Sequence, residues 1–277
     1  MRTFKIVADS SCDILSLQDL PFSFAPMKII TADREFTDDA ALDVADMARY
    51  FETCKTKSQT SCPNATDWLE AFGDADDIVC VTITSALSGS YNAACMAKQM
   101  YESEHDGRRV FVLDTLSAGP EIGLVVQKLC EYAQSGMEYT EICQNITEYI
   151  TNTGLLFMLK SLRNFANNGR VSPAVAKIAG IMGICIVGKA SDQGTLEPTD
   201  KCRGETRSIE TLVSHLQKHG LSHGKVRIAH CNNRSAAEQI KDRIREVCDA
   251  QVEICELRGL CSFYAEQGGV LVGYEKQ

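Results

Sequence analysis

Residues 77–91, which read DIVCVTITSALSGSY, decide the fold that we expect for this chain. Their first seven residues form a largely apolar run, typical of a strand that is buried on both faces, and Thr84 and Ser85 follow it. From Asn92 onward the spacing of the apolar residues predicts a helix. A buried strand, a turn rich in hydroxyl groups and then a helix indicate one unit of a parallel α/β sheet.

The same order of elements recurs in the first half of the chain. Residues 4–8 and 109–113 predict two more strands, which lead into further polar turns at Asp9 and Asp114. Helices are predicted over residues 40–55, 92–102, 122–135 and 139–151. Because ligands of parallel α/β sheets lie outside the carboxyl ends of the strands, the three polar turns indicate a candidate binding site.

The pattern changes in the second half. Residues 156–165 predict a helix, and an apolar segment follows at residues 181–187. We expect two domains, an N-terminal parallel-sheet domain over residues 1–155 and a C-terminal α/β domain with a mixed sheet over residues 156–277. The remaining elements of the second domain are helices over residues 205–219 and 236–248 and strands over residues 225–230, 251–256 and 270–274.

The bulk composition excludes several classes of function. The chain has 277 residues and a net charge of −9, so it lacks the basic surface that nucleic-acid binding needs. Its first residues do not resemble a signal peptide, and no run approaches the ~20 apolar residues of a membrane span, so we expect no stable membrane insertion. Its thirteen cysteines include no Cys-x-x-Cys pair, which favours a reduced, cytoplasmic protein over a disulfide framework or a zinc site.

The turn after the central strand is the first candidate for ligand binding. It offers the hydroxyl groups of Ser85, Ser88 and Ser90 beside the N–H groups that begin a helix, a combination that binds phosphate or carboxylate. Gly89 allows the backbone to approach a ligand closely. A single serine that caps the helix is the simpler interpretation, although capping needs only one of the three hydroxyl groups.

A second hydroxyl-rich turn, at Thr60 and Ser61, precedes a predicted helix over residues 64–72. We expect one of the two hydroxyl groups to cap this helix, with Pro63 in its first turn. The other hydroxyl group is then free to face a ligand. On its own this second turn is only a weak indication of a binding site.

Six motifs in the same order closely resemble the DegV family of fatty-acid-binding proteins, and the resemblance spans nearly the whole chain. No single motif is specific, but six in register make a chance match improbable. The motifs are Asp9-Ser10-Ser11-Cys12-Asp13, Thr60-Ser61-Cys62-Pro63, Ser85-Ala86-Leu87-Ser88-Gly89-Ser90-Tyr91, Asp114-Thr115, Gly169-Arg170-Val171-Ser172 and Lys201-Cys202-Arg203.

The resemblance implies a bacterial carrier that performs no chemistry of its own and needs no cofactor. Its N-terminal domain would have a Rossmann-like parallel sheet with helices on both faces. A long-chain fatty acid, such as palmitate, stearate or oleate, would lie between the two domains or run into the second. A separate ATP-dependent fatty acid kinase would then receive the carboxylate.

The resemblance also implies the residues that contact the carboxylate. These are Thr60 or Ser61, the turn that holds Ser85 and Ser88, and the backbone N–H of Gly89, with Arg203 as a basic residue near the carboxyl end. The acyl chain would lie along apolar residues within 155–162, Phe165 and residues 175–186. The chain departs from the family near its C-terminus, where Ala265-Glu266-Gln267-Gly268-Gly269 stands in place of a His-Thr-Gly-Pro-Gly turn. The missing histidine bears on the kinase partnership more than on lipid binding.

Two alternatives come from a different class of function. The first is an enzyme that acts on a phosphorylated or carboxylated small molecule at the same strand ends, with Asp9 or Asp114 as its acid or base. It lacks a recognisable pair of base and nucleophile, because no histidine stands near the serine turns in the sequence. The second is a relative of dihydroxyacetone kinases in fold, for which no covalent histidine is identifiable.

Overall fold

The computed structural model describes residues 2–54, 56–172, 175 and 183–276. In this part of the chain the strands are β1 (Phe4–Asp9), β2 (Phe22–Ala25), β3 (Lys28–Ile30), β4 (Glu35–Thr37), β5 (Gln59–Ser61), β6 (Asp77–Thr82), β7 (Arg109–Asp114), β8 (Thr153–Leu159), β9 (Ile184–Ala190), β10 (Leu196–Arg203), β11 (His223–His230), β12 (Asp249–Glu256) and β13 (Val270–Glu275). The α-helices are α1 (Val44–Thr53), α2 (Ala65–Phe72), α3 (Ser90–Glu104), α4 (Pro120–Gln134), α5 (Tyr139–Tyr149), α6 (Arg163–Asn167), α7 (Glu205–Lys218), α8 (Arg234–Val247) and α9 (Gly259–Ala265).

The first half of the chain builds the predicted parallel sheet, in the order β2-β1-β6-β7. The chain passes from β1 to β2 on one side and later returns to β6 on the other side. The strand order therefore reverses between β1 and β6, and the carboxyl ends of these two strands form the crevice where such sheets bind ligands.

Helices cover both faces of this sheet, as predicted. On one face α2 and α3 pack through Trp68, Phe72 and Tyr101, and on the other α4 and α5 pack through Ile122 and Ile142. All six residues of β6 are consequently buried, which is why its central residues 78–81 are apolar without alternation. Helix α4 also contacts β11 and β13, so it lies between the first sheet and the second.

The second half forms a mixed sheet in the order β10-β9-β8-β13-β11-β12, as expected. Strands β11 and β12 are parallel and the other pairs are antiparallel. Helices α7 and α8 cover one face, where Leu156 and Met158 of β8 join their core. The opposite face, with Phe157 and Leu159, is turned toward α9. Together the two sheets confirm the predicted α/β class.

The predicted helix over residues 156–165 is wrong. Residues 153–159 form strand β8, and only the short helix α6 follows. Both faces of β8 are buried, so its sequence is a continuous apolar run. Periodicity alone does not distinguish such a run from a buried helix.

A third, small sheet in the order β4-β3-β5 was not predicted. Its three-residue strands are too short to produce a periodic signal. Strand β5 contains Thr60 and Ser61, so these residues lie in an edge strand and not at the start of a helix. Helix α2 is capped instead by Asn64, whose side chain accepts from the N–H groups of Thr66 and Asp67.

The C-terminal helix α9 packs against the first half of the chain. Its Phe263 lies in a buried cluster with Ile29, Phe36 and Met47. The buried carboxylate of Asp38 accepts hydrogen bonds from the N–H groups that begin α9, at 3.1 and 2.9 Å. This contact stabilises the helix start in the way expected of an acidic group near a helix N-terminus. The division at residue 155 stays a prediction, because α9 belongs to the second domain in sequence and packs on the first.

Two further findings bear on the composition arguments. All thirteen cysteines are free thiols. Among the helices of the described residues, none combines the length and the apolar character that crossing a bilayer requires.

Asp13 makes the stability of this arrangement depend on pH. Its carboxylate accepts from the N–H of Arg258 at 3.0 Å, just before α9. Burial, with repulsion from Asp38 as the next cause, raises the pKa of Asp13 to about 7. In the unfolded chain the same group titrates near pH ~4, so the folded state favours the protonated form. Its contribution to stability is therefore complete below pH ~4 and is lost as the pH rises through about 7.

We predict that Asp13→Asn removes this dependence. Between pH 5 and pH 8 the free energy of unfolding of the wild type should fall by roughly 2.5 kcal/mol relative to that of the variant. Urea denaturation at both pH values measures the difference, and Asp106→Asn, at an exposed position, serves as the matched control. Asn also tolerates the left-handed backbone of residue 13, which has a φ of 57°. Parallel pH profiles for the wild type and Asp13→Asn would contradict the account.

Candidate functional site

A cavity of about 290 Å³ opens at the carboxyl ends of the first sheet, where the second sheet faces it. The first sheet contributes Met27, which follows β2, and Ile83, which follows β6. The second sheet contributes the face of β8 that carries Leu155, Phe157 and Leu159. The cavity therefore lies at the reversal of strand order that the topology marks for ligand binding.

Only some of the positions expected along the acyl chain line the cavity. Leu155, Leu159 and Phe165 face the cavity, and the alternation of a strand explains why Leu156 and Met158 do not. Residues 176–182 of the second expected range lie outside the described residues.

The turn between β9 and β10 closes the cavity on one side. The hydroxyl of Thr84 donates to the carbonyl of Gly194 at 2.9 Å. Gly194 has a φ of 72°, and a Cβ there would lie 2.1 Å from the Thr84 hydroxyl oxygen. Only glycine therefore allows this contact between the two halves of the chain.

The two hydroxyl-rich turns meet at the cavity, and we call this part of its lining the polar end. Thr60, Ser61, Ser88 and Gly89, which the sequence analysis selected, all line it there. They come from β5 and from the turn that leads into α3. Although residues 60 and 88 are distant in sequence, the fold brings the two hydroxyl-rich turns together.

The Ser88–Gly89 turn leaves donor groups available to a ligand. Gly89 immediately precedes α3, and no side chain caps that helix. The hydroxyl oxygen of Ser88 accepts from the N–H of Ser90 at 3.2 Å, and its own proton has no acceptor within the described residues. Nor does the N–H of Gly89 have a protein acceptor there. A Cβ on Gly89 would lie 3.1 Å from the Cys62 sulfur, so the two turns are in close contact.

The buried carboxylate of Asp9 holds this turn in place. One oxygen accepts from the N–H of Ile83 at 2.9 Å and from the hydroxyl of Ser90 at 2.7 Å. The other accepts from the N–H and the hydroxyl of Ser11. Burial raises the pKa of Asp9, and these hydrogen bonds oppose the increase. Asp9 thus connects the end of β1 to the turn after β6 and is not itself part of the cavity lining.

Thr60 is held on both sides by residues from the second half of the chain. Its N–H donates to the side-chain oxygen of Asn168 at 3.2 Å. Its hydroxyl lies 2.7 Å from the hydroxyl of Tyr264, which also lines the cavity. Ser61 is exposed, and its hydroxyl donates to the carbonyl of Cys62.

Arg170 is the single charged side chain among the described residues that line the cavity. Its guanidinium donates to the carbonyls of Leu87 and Asn168 and so bridges the serine turn and the end of α6. The remaining terminal nitrogen, Nη2, has no protein acceptor within the described residues. A positive charge with a free donor therefore lies beside Ser88.

Ser85 and Arg203 are not part of this arrangement. Ser85 is exposed, and its N–H donates to the carboxylate of Asp114 at 3.1 Å, outside the cavity. Arg203 ends β10, whereas Leu196 at the other end of that strand lines the cavity. Neither Ser85 nor Arg203 is among the described residues that line the cavity.

Two residues of the cavity were missed in the sequence. Arg170 belongs to a motif that was recognised, but its partners lie on distant turns. Tyr264 is 204 residues from Thr60, and no local pattern connects the two. Only the folded arrangement identifies them. Within the part of the chain that the structure describes, no cluster of three or more potential metal ligands occurs.

Comparison with known proteins gives consistent matches over the whole chain. The family model described as "Uncharacterised protein, DegV family" matches residues 3–277. A DegV domain-containing protein of Streptococcus pneumoniae strain R6 is 41% identical over 278 residues, which cover 99% of both chains.

Solved structures of similar proteins point to the same family. A DegV family protein from Eubacterium eligens loaded with heptadecanoic acid is 40% identical with a TM-score of 0.97, and the match covers 99% of this chain and 100% of that one. The fatty acid kinase B3 protein of Streptococcus pneumoniae loaded with linoleic acid has the same identity, TM-score and coverage. A DegV family protein from Ruminococcus gnavus with vaccenic acid is 26% identical with a TM-score of 0.89, over 98% of this chain and 99% of that one. This chain therefore belongs to the DegV family.

Proposed function

We propose that this protein binds one long-chain fatty acid, with the carboxylate at the polar end of the cavity and the acyl chain along its apolar walls. The observation that carries the proposal is the charge of the lining. Among the described residues it contains one positive side chain, Arg170, and no acidic side chain. Such a site suits a ligand with one negative charge and a long apolar body.

Three solved relatives support this choice of ligand. Their bound molecules are heptadecanoic, linoleic and vaccenic acid, which share a single carboxylate and a long acyl chain. The acids differ in length and unsaturation, so the feature they share is the carboxylate on a long acyl chain.

The two ends of the cavity would have different roles. Burial of ~15 methylene groups at ~0.8 kcal/mol each contributes a gross ~12 kcal/mol before ordering costs. A hydrogen bond to a charged group contributes only about 1.5–3 kcal/mol. The acyl chain would therefore supply most of the affinity. Thr60, Ser61, Ser88, the N–H of Gly89 and Arg170 would supply orientation and selectivity for an acid.

The site supports a carrier more than an enzyme. Neither Asp9 nor Asp114, the acid or base of the alternative hypothesis, lines the cavity, and both carboxylates accept hydrogen bonds from N–H groups of the strand-end turns. No histidine is found among the described lining residues. We infer that the protein does not transform its ligand. The similarity to a fatty acid kinase B protein favours presentation of the carboxylate to a separate kinase.

The first prediction for the binding site concerns Arg170. Arg170→Met should weaken binding of a long-chain fatty acid to the delipidated protein by roughly 10- to 100-fold, because a charge-assisted contact is lost while the acyl chain stays buried. Isothermal titration calorimetry measures the dissociation constant. Arg163→Met, which changes a largely exposed arginine on α6, is the matched control and should stay within about twofold of the wild type. Equal effects of the two variants would contradict the assignment.

The second prediction concerns the two hydroxyl-rich turns. The double variant Ser88→Ala/Thr60→Ala should lose most of the lipid that co-purifies with the wild type, since the carboxylate loses two donors. Mass spectrometry of extracted protein measures the lipid content. The control Ser103→Ala/Thr147→Ala removes two exposed hydroxyl groups that donate to carbonyls of their own helices. Unchanged lipid content in the Ser88/Thr60 variant would rule out the carboxylate site at these turns.

A further inference from the structure

We propose that Tyr264 and Thr60 act as a coupled pair of hydroxyl groups that donates a hydrogen bond to the ligand's head group and selects acids over neutral lipids. The inference rests on the proposed function and names a recognition residue that the chain's motifs do not indicate. Tyr264 lies in α9 and lines the cavity, as Arg170 does, and its hydroxyl contacts that of Thr60.

The hydrogen-bond count of the pair is the basis of the proposal. The two hydroxyl oxygens are 2.7 Å apart, and either can be the donor. Each hydroxyl group has one proton, so the group that accepts within the pair keeps its own proton for another acceptor. Within the described residues neither hydroxyl has a second partner. One of the two hydroxyl protons at the polar end of the cavity therefore has no acceptor among the described residues.

Both members of the pair are held in place by contacts with the rest of the protein. The Tyr264 ring lies 4.6 Å from the ring of Phe165 and 5.0 Å from that of Phe263, centroid to centroid. The backbone of Thr60 is fixed by β5 and by its hydrogen bond to Asn168. A donor that is already oriented loses little conformational entropy on binding, so more of its hydrogen-bond energy appears as affinity.

The charges around the pair favour an anionic acceptor. Burial raises the pKa of the Tyr264 phenol, so the group remains a donor at neutral pH, and Arg170 is the charged side chain that acts on it. A carboxylate accepts a hydrogen bond from the hydroxyl group that has no other acceptor, and it also interacts with the Arg170 guanidinium. A methyl ester keeps the acyl chain but has no charge, so it gains much less from either group.

Tyr264→Phe tests the proposal, because it removes one oxygen and keeps the ring that packs on Phe165. Dissociation constants are measured by calorimetry with delipidated protein for oleic acid and for its methyl ester. We expect the variant to bind the acid roughly 10- to 100-fold more weakly and the ester within about twofold of the wild type. Tyr274→Phe, in the buried core on the far face of the second sheet, is the matched control and should change neither value.

Thr60→Val provides a second, independent variant. It removes the partner but leaves the phenol able to donate directly, so its effect on acid binding should be smaller than that of Tyr264→Phe. The effects of the two changes should also not add in the double variant. Unchanged acid binding in Tyr264→Phe, or equal losses for acid and ester, would overturn this inference and leave the proposed function standing. Failure of the wild type to bind either lipid would instead overturn the proposed function, and this inference with it.

Discussion

The site depends on the hydrogen bonds that the buried carboxylate of Asp9 accepts. Four hydrogen bonds from Ser11, Ile83 and Ser90 converge on it at the point where the strand order of the first sheet reverses. A buried carboxylate is costly unless its oxygens are satisfied, so these donors are held in one arrangement. This arrangement places the Ser88–Gly89 turn beside the cavity, with donors that have no protein acceptor within the described residues.

The other half of the site comes from segments that are distant in sequence. The first N–H groups of helix α9 donate to the Asp38 carboxylate, and Tyr264 of the same helix contacts Thr60. Glu266, which directly follows α9, accepts from the N–H of Asn164 and so helps to fix α6, whose end positions Asn168 and Arg170. The cavity is therefore a property of both sheets together. Its polar end requires the first half of the chain and helix α9 to be packed together.

The sequence predicts the repeating units of the fold well and the polar end of the cavity only in part. Buried strands such as β6 and the amphipathic helices that cover them have strong periodic signals. Strand β8 was predicted as a helix because burial on both faces removes alternation, and β5 is too short to be recognised. Thr60 and Ser88 were found because each lies in a motif. Tyr264 has no local signal, since its importance comes from a contact across 204 residues.

The central claim is that the cavity holds a single-chain lipid by its carboxylate. Native mass spectrometry of the purified wild-type protein, followed by extraction and identification of the released molecule, tests this claim most directly. The account predicts one free long-chain fatty acid per chain, with an unmodified carboxyl group. A phosphorylated water-soluble metabolite, or a lipid without a free acid, would contradict it.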